Sequence, residues 1–131
     1  MKKSSSMKTT ILLTAVIAVL VTGSIALAGC TETPPSPQSL KVSQCLKDKQ
    51  ATIYWANWCP HCKDMKADLG STFFEVKNID CAANQVNAVE CEKAGVTGYP
   101  LIKLGDGGEI SGYPQYSTAE ERMNWLEGKA C

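Results

Sequence analysis

The chain has 131 residues, with 13 basic and 13 acidic side chains and no net charge at pH 7. That length suits one hydrophobic core, not two, and a balanced charge argues against a nucleic-acid binder, which needs a basic face. Seven cysteines are many for so short a chain, and they raise disulfides, redox chemistry or metal as the subjects to decide between.

Lys2, Lys3 and Lys8 give a positive start, and Ile11 to Ala28 is an uncharged apolar stretch broken only by small residues. The pattern is that of an export signal and not of a folded element. Its ending, Leu27-Ala28-Gly29-Cys30, resembles the lipobox of bacterial lipoproteins. The resemblance implies a diacylglyceryl group on Cys30, removal of residues 1–29 and an extracytoplasmic domain tethered to a bacterial membrane. An uncleaved transmembrane helix is the alternative that the length permits. Residues 1–29 hold three lysines and no acid, so the remaining 102 residues carry 10 basic and 13 acidic side chains, net −3. Six cysteines remain beside Cys30: Cys45, Cys59, Cys62, Cys81, Cys91 and Cys131. An even number in an exported domain favours disulfides.

Residues 30–38 contain Pro34, Pro35 and Pro37 and predict an extended tether, reaching about 25 Å at about 3 Å per residue. The folded domain is expected over 39–131. Ser39 is a candidate N-cap for a helix over Leu40–Lys49. Ala51–Trp58, rich in Ile, Tyr and Trp, predicts a buried strand. A helix over Cys59–Leu69 should stop at Gly70. Phe73–Ile79 predicts a second strand, and Asn84–Ala94 a helix closed by Gly95. Leu101–Leu104 and Glu109–Tyr113 read as a hairpin around Gly105-Asp106-Gly107-Gly108. Ser117 and Glu120 form a capping box for a last helix running to about Glu127. The fold class is therefore α/β, a central mixed sheet of about four strands flanked by helices.

The chemistry is concentrated in Trp58-Cys59-Pro60-His61-Cys62. Two thiols one helical turn apart, straight after a strand, can close and open a disulfide with little backbone movement. A thiol at a helix start is also predisposed to ionise, because unpaired N–H groups and the helix dipole favour a thiolate. Cys59, expected to be partly exposed, is the candidate nucleophile, and Cys62, one turn deeper, the resolving thiol. His61 is placed to stabilise a thiolate beside it, unless it is simply a solvated helix-start residue. A structural zinc site would need a second pair at knuckle-like spacing, and Cys81 and Cys91 are too far apart for that. No metal and no cofactor are expected beyond a redox-active Cys59–Cys62 disulfide. No acid lies within Ala51–Trp58 to accept a proton from the buried thiol.

With Tyr99-Pro100 ahead of a hairpin, these motifs resemble the thioredoxin-like superfamily. The chain is further similar to the thioredoxin-like domains fused to, or partnering, bacterial vitamin K epoxide reductase homologues. The shared features are Cys45-Leu46 and Lys49 before the first strand, Trp-Cys-Pro-His-Cys-Lys at 58–63, the pair Cys81 and Cys91, Ala94-Gly95-Val96 leading to Tyr99-Pro100, and a terminal Cys131. Two departures flank the groove: Tyr54-Trp55-Ala56-Asn57 stands where members often have Gly-Ala before the aromatic and Trp, and Leu101-Ile102 follows Tyr-Pro where Thr-Trp is common.

The resemblance implies a cis Pro100 that brings the Tyr99 backbone beside Cys59 to pair with an extended substrate, with Trp58 lining the same groove. Trp55 and Trp125 are expected to serve packing. It implies structural disulfides Cys81–Cys91 and Cys45–Cys131, although six cysteines allow fifteen pairings, and Cys81–Cys91 could instead be a second redox pair. Pro60 and His61 resemble the site of strongly oxidising periplasmic oxidases. The expected activity is thiol–disulfide exchange that oxidises thiols of exported proteins, with reoxidation by a quinone-linked membrane oxidase of the vitamin K epoxide reductase type. The alternatives are a reductase serving cytochrome c maturation or disulfide repair, and a copper-binding module built on Cys59, His61 and Cys62.

Overall fold

The computed structural model describes residues 34–115 and 118–131. The expected signal 1–29, Cys30, the first part of the tether and Ser117 lie outside the described residues.

Helix α1 spans Pro37–Asp48 and starts three residues before the expected position. Ser36, not Ser39, is the N-cap: its hydroxyl accepts the Ser39 N–H at 3.0 Å, and Pro37 supplies a first helical residue whose missing N–H costs nothing there. Ser39 lies fully buried inside the first turn and donates its own hydroxyl to the Ser36 carbonyl. The prolines thus hid a helix start that the sequence reading assigned to the tether.

Strand β1 is Thr52–Trp55, shorter than expected because the chain turns at Asn57-Trp58, where Cys59 N–H donates to the Ala56 carbonyl at 3.0 Å. Helix α2, Pro60–Leu69, begins immediately after it, and Gly70 ends it at φ +58°. The expected strand Phe73–Ile79 is corrected: Gly70–Glu75 is a 3-10 turn, and strand β2 is only Lys77–Asp80. An aromatic pair followed by Val favours a strand by propensity, but here packing decides. The turn buries Phe73 completely, edge-on to Trp55 at 5.4 Å, and leaves Phe74 outside under the Lys66 ammonium.

Helix α3, Gln85–Lys93, is capped by Asn84, whose side chain accepts the Asn87 N–H. It closes with Gly95 N–H on the Glu92 carbonyl and Val96 N–H on the Cys91 carbonyl, the paired bonds that a left-handed C′ glycine permits. Strands β3, Leu101–Lys103, and β4, Glu109–Ser111, form the hairpin. Helix α4, Ala119–Ala130, opens on a capping box of Thr118 and Glu121, one residue later than the expected Ser117 and Glu120, and runs past Glu127.

The sheet order is β2-β1-β3-β4, with β1 parallel to β2 and antiparallel to β3, and β3 antiparallel to β4. The two-residue period of the strands separates two cores. Ile53, Ile102 and Ile110 point toward Val42, Leu46, Met65, Leu69, Phe73, Met123 and Leu126 from α1, α2, the 3-10 turn and α4. Tyr54, Ile79 and Leu101 form a smaller cluster with Cys81 and Cys91. Cys81, just after β2, is bonded to Cys91 in the last turn of α3, and Cys45 on α1 is bonded to Cys131. Among the described residues no helix is long and apolar enough to cross a membrane.

Candidate active site

The site lies where β1 ends and α2 begins. Cys59 is the N-cap residue of α2, with extended backbone (φ −74°, ψ 121°) and no side-chain capping bond, so its thiol sits at the positive end of the helix dipole without being used up as a cap. Its Sγ lies 3.6 Å from the Tyr99 carbonyl oxygen. Cys59 and Cys62 are both free thiols. Cys59 is 4% exposed and Cys62 not at all. Cys59 was expected to be more open. Ala56, Cys62, Trp55 and Tyr99 pack around it.

Burial pushes the Cys62 thiol up to about 12 from an ordinary 9.0. The Cys59 thiol and the negative charges of Cys59 and Asp80 add to the shift, against a backbone hydrogen bond from Ala56 that opposes it. The two thiols are therefore unequal: one belongs to the N-cap residue of a helix, and the other is a buried, protonated acid.

Pro60 occupies the first position of α2 and is exposed. His61 follows, and its Nδ1 lies 2.7 Å from the Tyr113 carbonyl oxygen. A carbonyl only accepts, so Nδ1 carries the proton and Nε2 is the nitrogen that gains or loses the second one. Trp58 is 62% exposed, its ring edge-on to Tyr99 at 5.8 Å. The Tyr99-Pro100 bond is cis, Pro100 is buried, and its carbonyl accepts the Gly112 N–H at 2.8 Å. Trp58, Cys59 and Tyr99 thus lie together over the buried Cys62, with His61 next to Cys62 in the chain. Cys81–Cys91 and Cys45–Cys131 are formed disulfides elsewhere. Trp55 donates Nε1–H to Asn78, and Trp125 stacks edge-on to Tyr113.

Sequence reasoning missed a buried polar group behind His61. Asp68, near the end of α2, takes Nε–H and a second guanidinium N–H from Arg122 of α4 at 2.6 and 2.8 Å, and the Tyr113 hydroxyl at 2.9 Å. The Asp68 side chain is 4% exposed and that of Arg122 15%. Burial and the Asp68 carboxylate push the Tyr113 phenol far above its ordinary value, and hydrogen bonding to Asp68 raises Arg122 likewise. The usable signal was Asp68 itself, an acid between the core residues Met65 and Leu69. Asp80 was also missed. It pairs in register with Trp55 on the adjacent strand, while position 53 of β1 is a fully buried Ile.

A family model described as Thioredoxin matches residues 39–127. Protein disulfide-isomerase A3 of Gallus gallus is 34% identical over 84 residues, 59% of this chain and 16% of the relative. Protein disulfide-isomerase 1 of Dictyostelium discoideum is 41% identical over 66 residues, 44% of this chain and 18% of the relative. The chain thus spans less than a fifth of the length of these two relatives. Among solved structures, the C-terminal domain of Neisseria meningitidis DsbD in its oxidised form aligns with a TM-score of 0.41 at 20% identity, over 72% of this chain and 97% of that one.

Proposed function

The chain belongs to the thioredoxin family, and from that premise we propose that it is a membrane-anchored, extracytoplasmic thiol–disulfide oxidoreductase that oxidises thiols of exported proteins. The observation that carries the proposal is the unequal thiol pair at the start of α2, Cys59 as N-cap and Cys62 buried with its proton held to about 12. The protein disulfide-isomerase names of its relatives support disulfide chemistry as the activity.

In the oxidising direction a substrate thiolate attacks Cys59 of the Cys59–Cys62 disulfide. The S–S bond breaks, Cys62 leaves and takes a proton, and a mixed disulfide joins Cys59 to the substrate. A second substrate thiol, losing its proton, attacks the substrate sulfur of that bond, and Cys59 leaves as the thiolate. The substrate gains a disulfide, and two electrons rest on the Cys59–Cys62 dithiol. A quinone-linked membrane oxidase of the vitamin K epoxide reductase type takes them back, as the likeness of the cysteine pattern to the domains that partner such enzymes suggests. No cofactor is required beyond the redox-active disulfide. Trp58, Tyr99 and Pro100 form the substrate groove, with the Tyr99 backbone beside Cys59 to receive an extended chain. Pro60 and His61 tune the thiolate. Cys45–Cys131 and Cys81–Cys91 hold the scaffold. Residues 1–29 act as a lipoprotein signal, Cys30 carries the lipid, and the residues from there to the α1 cap at Ser36 tether the domain.

Equilibration against a glutathione redox series tests the direction. A potential well above about −200 mV supports an oxidant, and one near about −270 mV assigns a reductase. Cys59→Ser should abolish exchange and Cys62→Ser should accumulate mixed disulfides with exported proteins. Recovery of none overturns the assignment of Cys59 as nucleophile.

A further inference from the structure

The polar group behind His61 has a mechanical form. His61 and Asp68 lie seven residues apart on α2, about 10 Å along the axis. Tyr113 spans that distance: its carbonyl takes the His61 Nδ1–H, and its hydroxyl donates to Asp68. Each end is secured independently. Arg122 grips both carboxylate oxygens of Asp68 from α4. On the other side Gly112, at φ +78°, turns the chain out of β4 and donates its N–H to the Pro100 carbonyl. Tyr113 is 3% exposed, and its ring rests edge-on against Trp125. A buried, charge-assisted cluster of this kind orders the groups around it, since leaving any one member unpaired is costly.

We propose that Tyr113, clamped by Asp68 and Arg122, is a positioning residue that holds the His61 imidazole in one tautomer and one orientation in the first turn of α2, and so sets the Cys59–Cys62 potential. The inference rests on the reading of His61 as the group that stabilises the Cys59 thiolate. A ring free to rotate spends part of its time away from the sulfur, so the thiolate, and with it the reduced form, loses stability. The disulfide is then harder to reduce and the protein a weaker oxidant.

The test uses the full chain equilibrated with glutathione. Tyr113→Phe keeps the backbone carbonyl and the ring but removes the bond to Asp68, and Asp68→Asn weakens the same clamp from its other end. Each should shift the equilibrium toward the disulfide by about tenfold, or about 30 mV. His61→Ala should shift it at least as far, and Tyr113→Phe added to His61→Ala should shift it no further. Imidazole ¹⁵N spectra of the reduced protein should show a protonated Nδ1 in the parent and a mixture of tautomers in Tyr113→Phe. A merely structural role for Tyr113 changes the melting temperature alone and moves neither readout. An unshifted His61→Ala chain overturns the reading of His61 itself. A shifted His61→Ala chain beside unshifted Tyr113→Phe and Asp68→Asn chains, or equal shifts from Tyr113→Phe with and without His61, overturns the positioning role alone.

Discussion

The protonation of Cys62 gives the most direct check on the site. Its thiol is raised from 9.0 to about 12, chiefly because burial penalises the thiolate and secondarily because Cys59 and Asp80 place negative charge nearby. Three pH units correspond to about a thousandfold less thiolate than an ordinary cysteine holds below pH 9. In reduced protein treated with iodoacetamide between pH 6 and 10, Cys62 should remain unmodified while Cys59 reacts. Cys59→Ser removes the Cys59 contributions but leaves burial, so Cys62 in that variant should still titrate well above 9. The same shift enters stability. A thiol whose folded-state pKa lies above its unfolded value holds its proton more tightly when folded. Its contribution is complete below about pH 9 and is lost as pH rises from about 9 to about 12. The reduced Cys59→Ser chain keeps the burial part of the shift, so it should lose stability over that window, by less than the full shift's value of about 4 kcal/mol, relative to a Cys59→Ser/Cys62→Ala chain that lacks the titrating thiol. Alkylation of Cys62 at the rate of an exposed thiol, or equal alkaline stability of the two chains, would refute the reasoning.

The two disulfides close loops of very different size, with sequence separations of 86 and 10 residues. Chain entropy then predicts a loss of about 4.6 kcal/mol for Cys45→Ala/Cys131→Ala and about 2.8 kcal/mol for Cys81→Ala/Cys91→Ala. Urea unfolding checks the order, and a larger loss from the small loop would contradict it. Gly112 adopts φ +78° in open space, so Gly112→Ala should cost about 1–2 kcal/mol through backbone strain without any clash. An unchanged unfolding midpoint would show that the turn does not need glycine.

The site was more legible in the sequence than the elements around it. Cys59 and Cys62 announce themselves because a strand, two thiols and a helix lie in sequence order, and the contact between them is local. Tyr99-Pro100 was readable for the same reason, as a motif before a hairpin. The 3-10 turn at Gly70–Glu75 was not: residue propensity favours a strand there, and only the demand for Phe73 under Trp55 overrides it. The α1 start was obscured because proline signals both a tether and a first helical turn. Asp68, Tyr113 and Arg122 were invisible as a group because they meet across 45 to 54 positions of chain, and no local pattern marks three residues on α2, the segment after β4 and α4 as neighbours.

The inequality of the thiols also bears on the direction of exchange. A mixed disulfide at Cys59 has two fates. Attack by Cys62 expels the substrate with its thiol restored, and attack by a second substrate thiol releases it oxidised. Cys62 has proximity in its favour, but burial, the largest cause of its raised pKa, persists in the mixed disulfide and keeps it far less ionised at pH 7 than an ordinary cysteine. The proposed oxidising direction therefore requires the protonation penalty to outweigh proximity. A two-cysteine peptide presented to the oxidised protein at pH 7 should leave as a disulfide. A peptide with one cysteine should persist as a mixed disulfide, with a lifetime that falls about tenfold per unit of pH as Cys62 ionises. Rapid, pH-independent release of the one-cysteine peptide would mean that Cys62 wins the competition, and the oxidising direction would lose its kinetic basis.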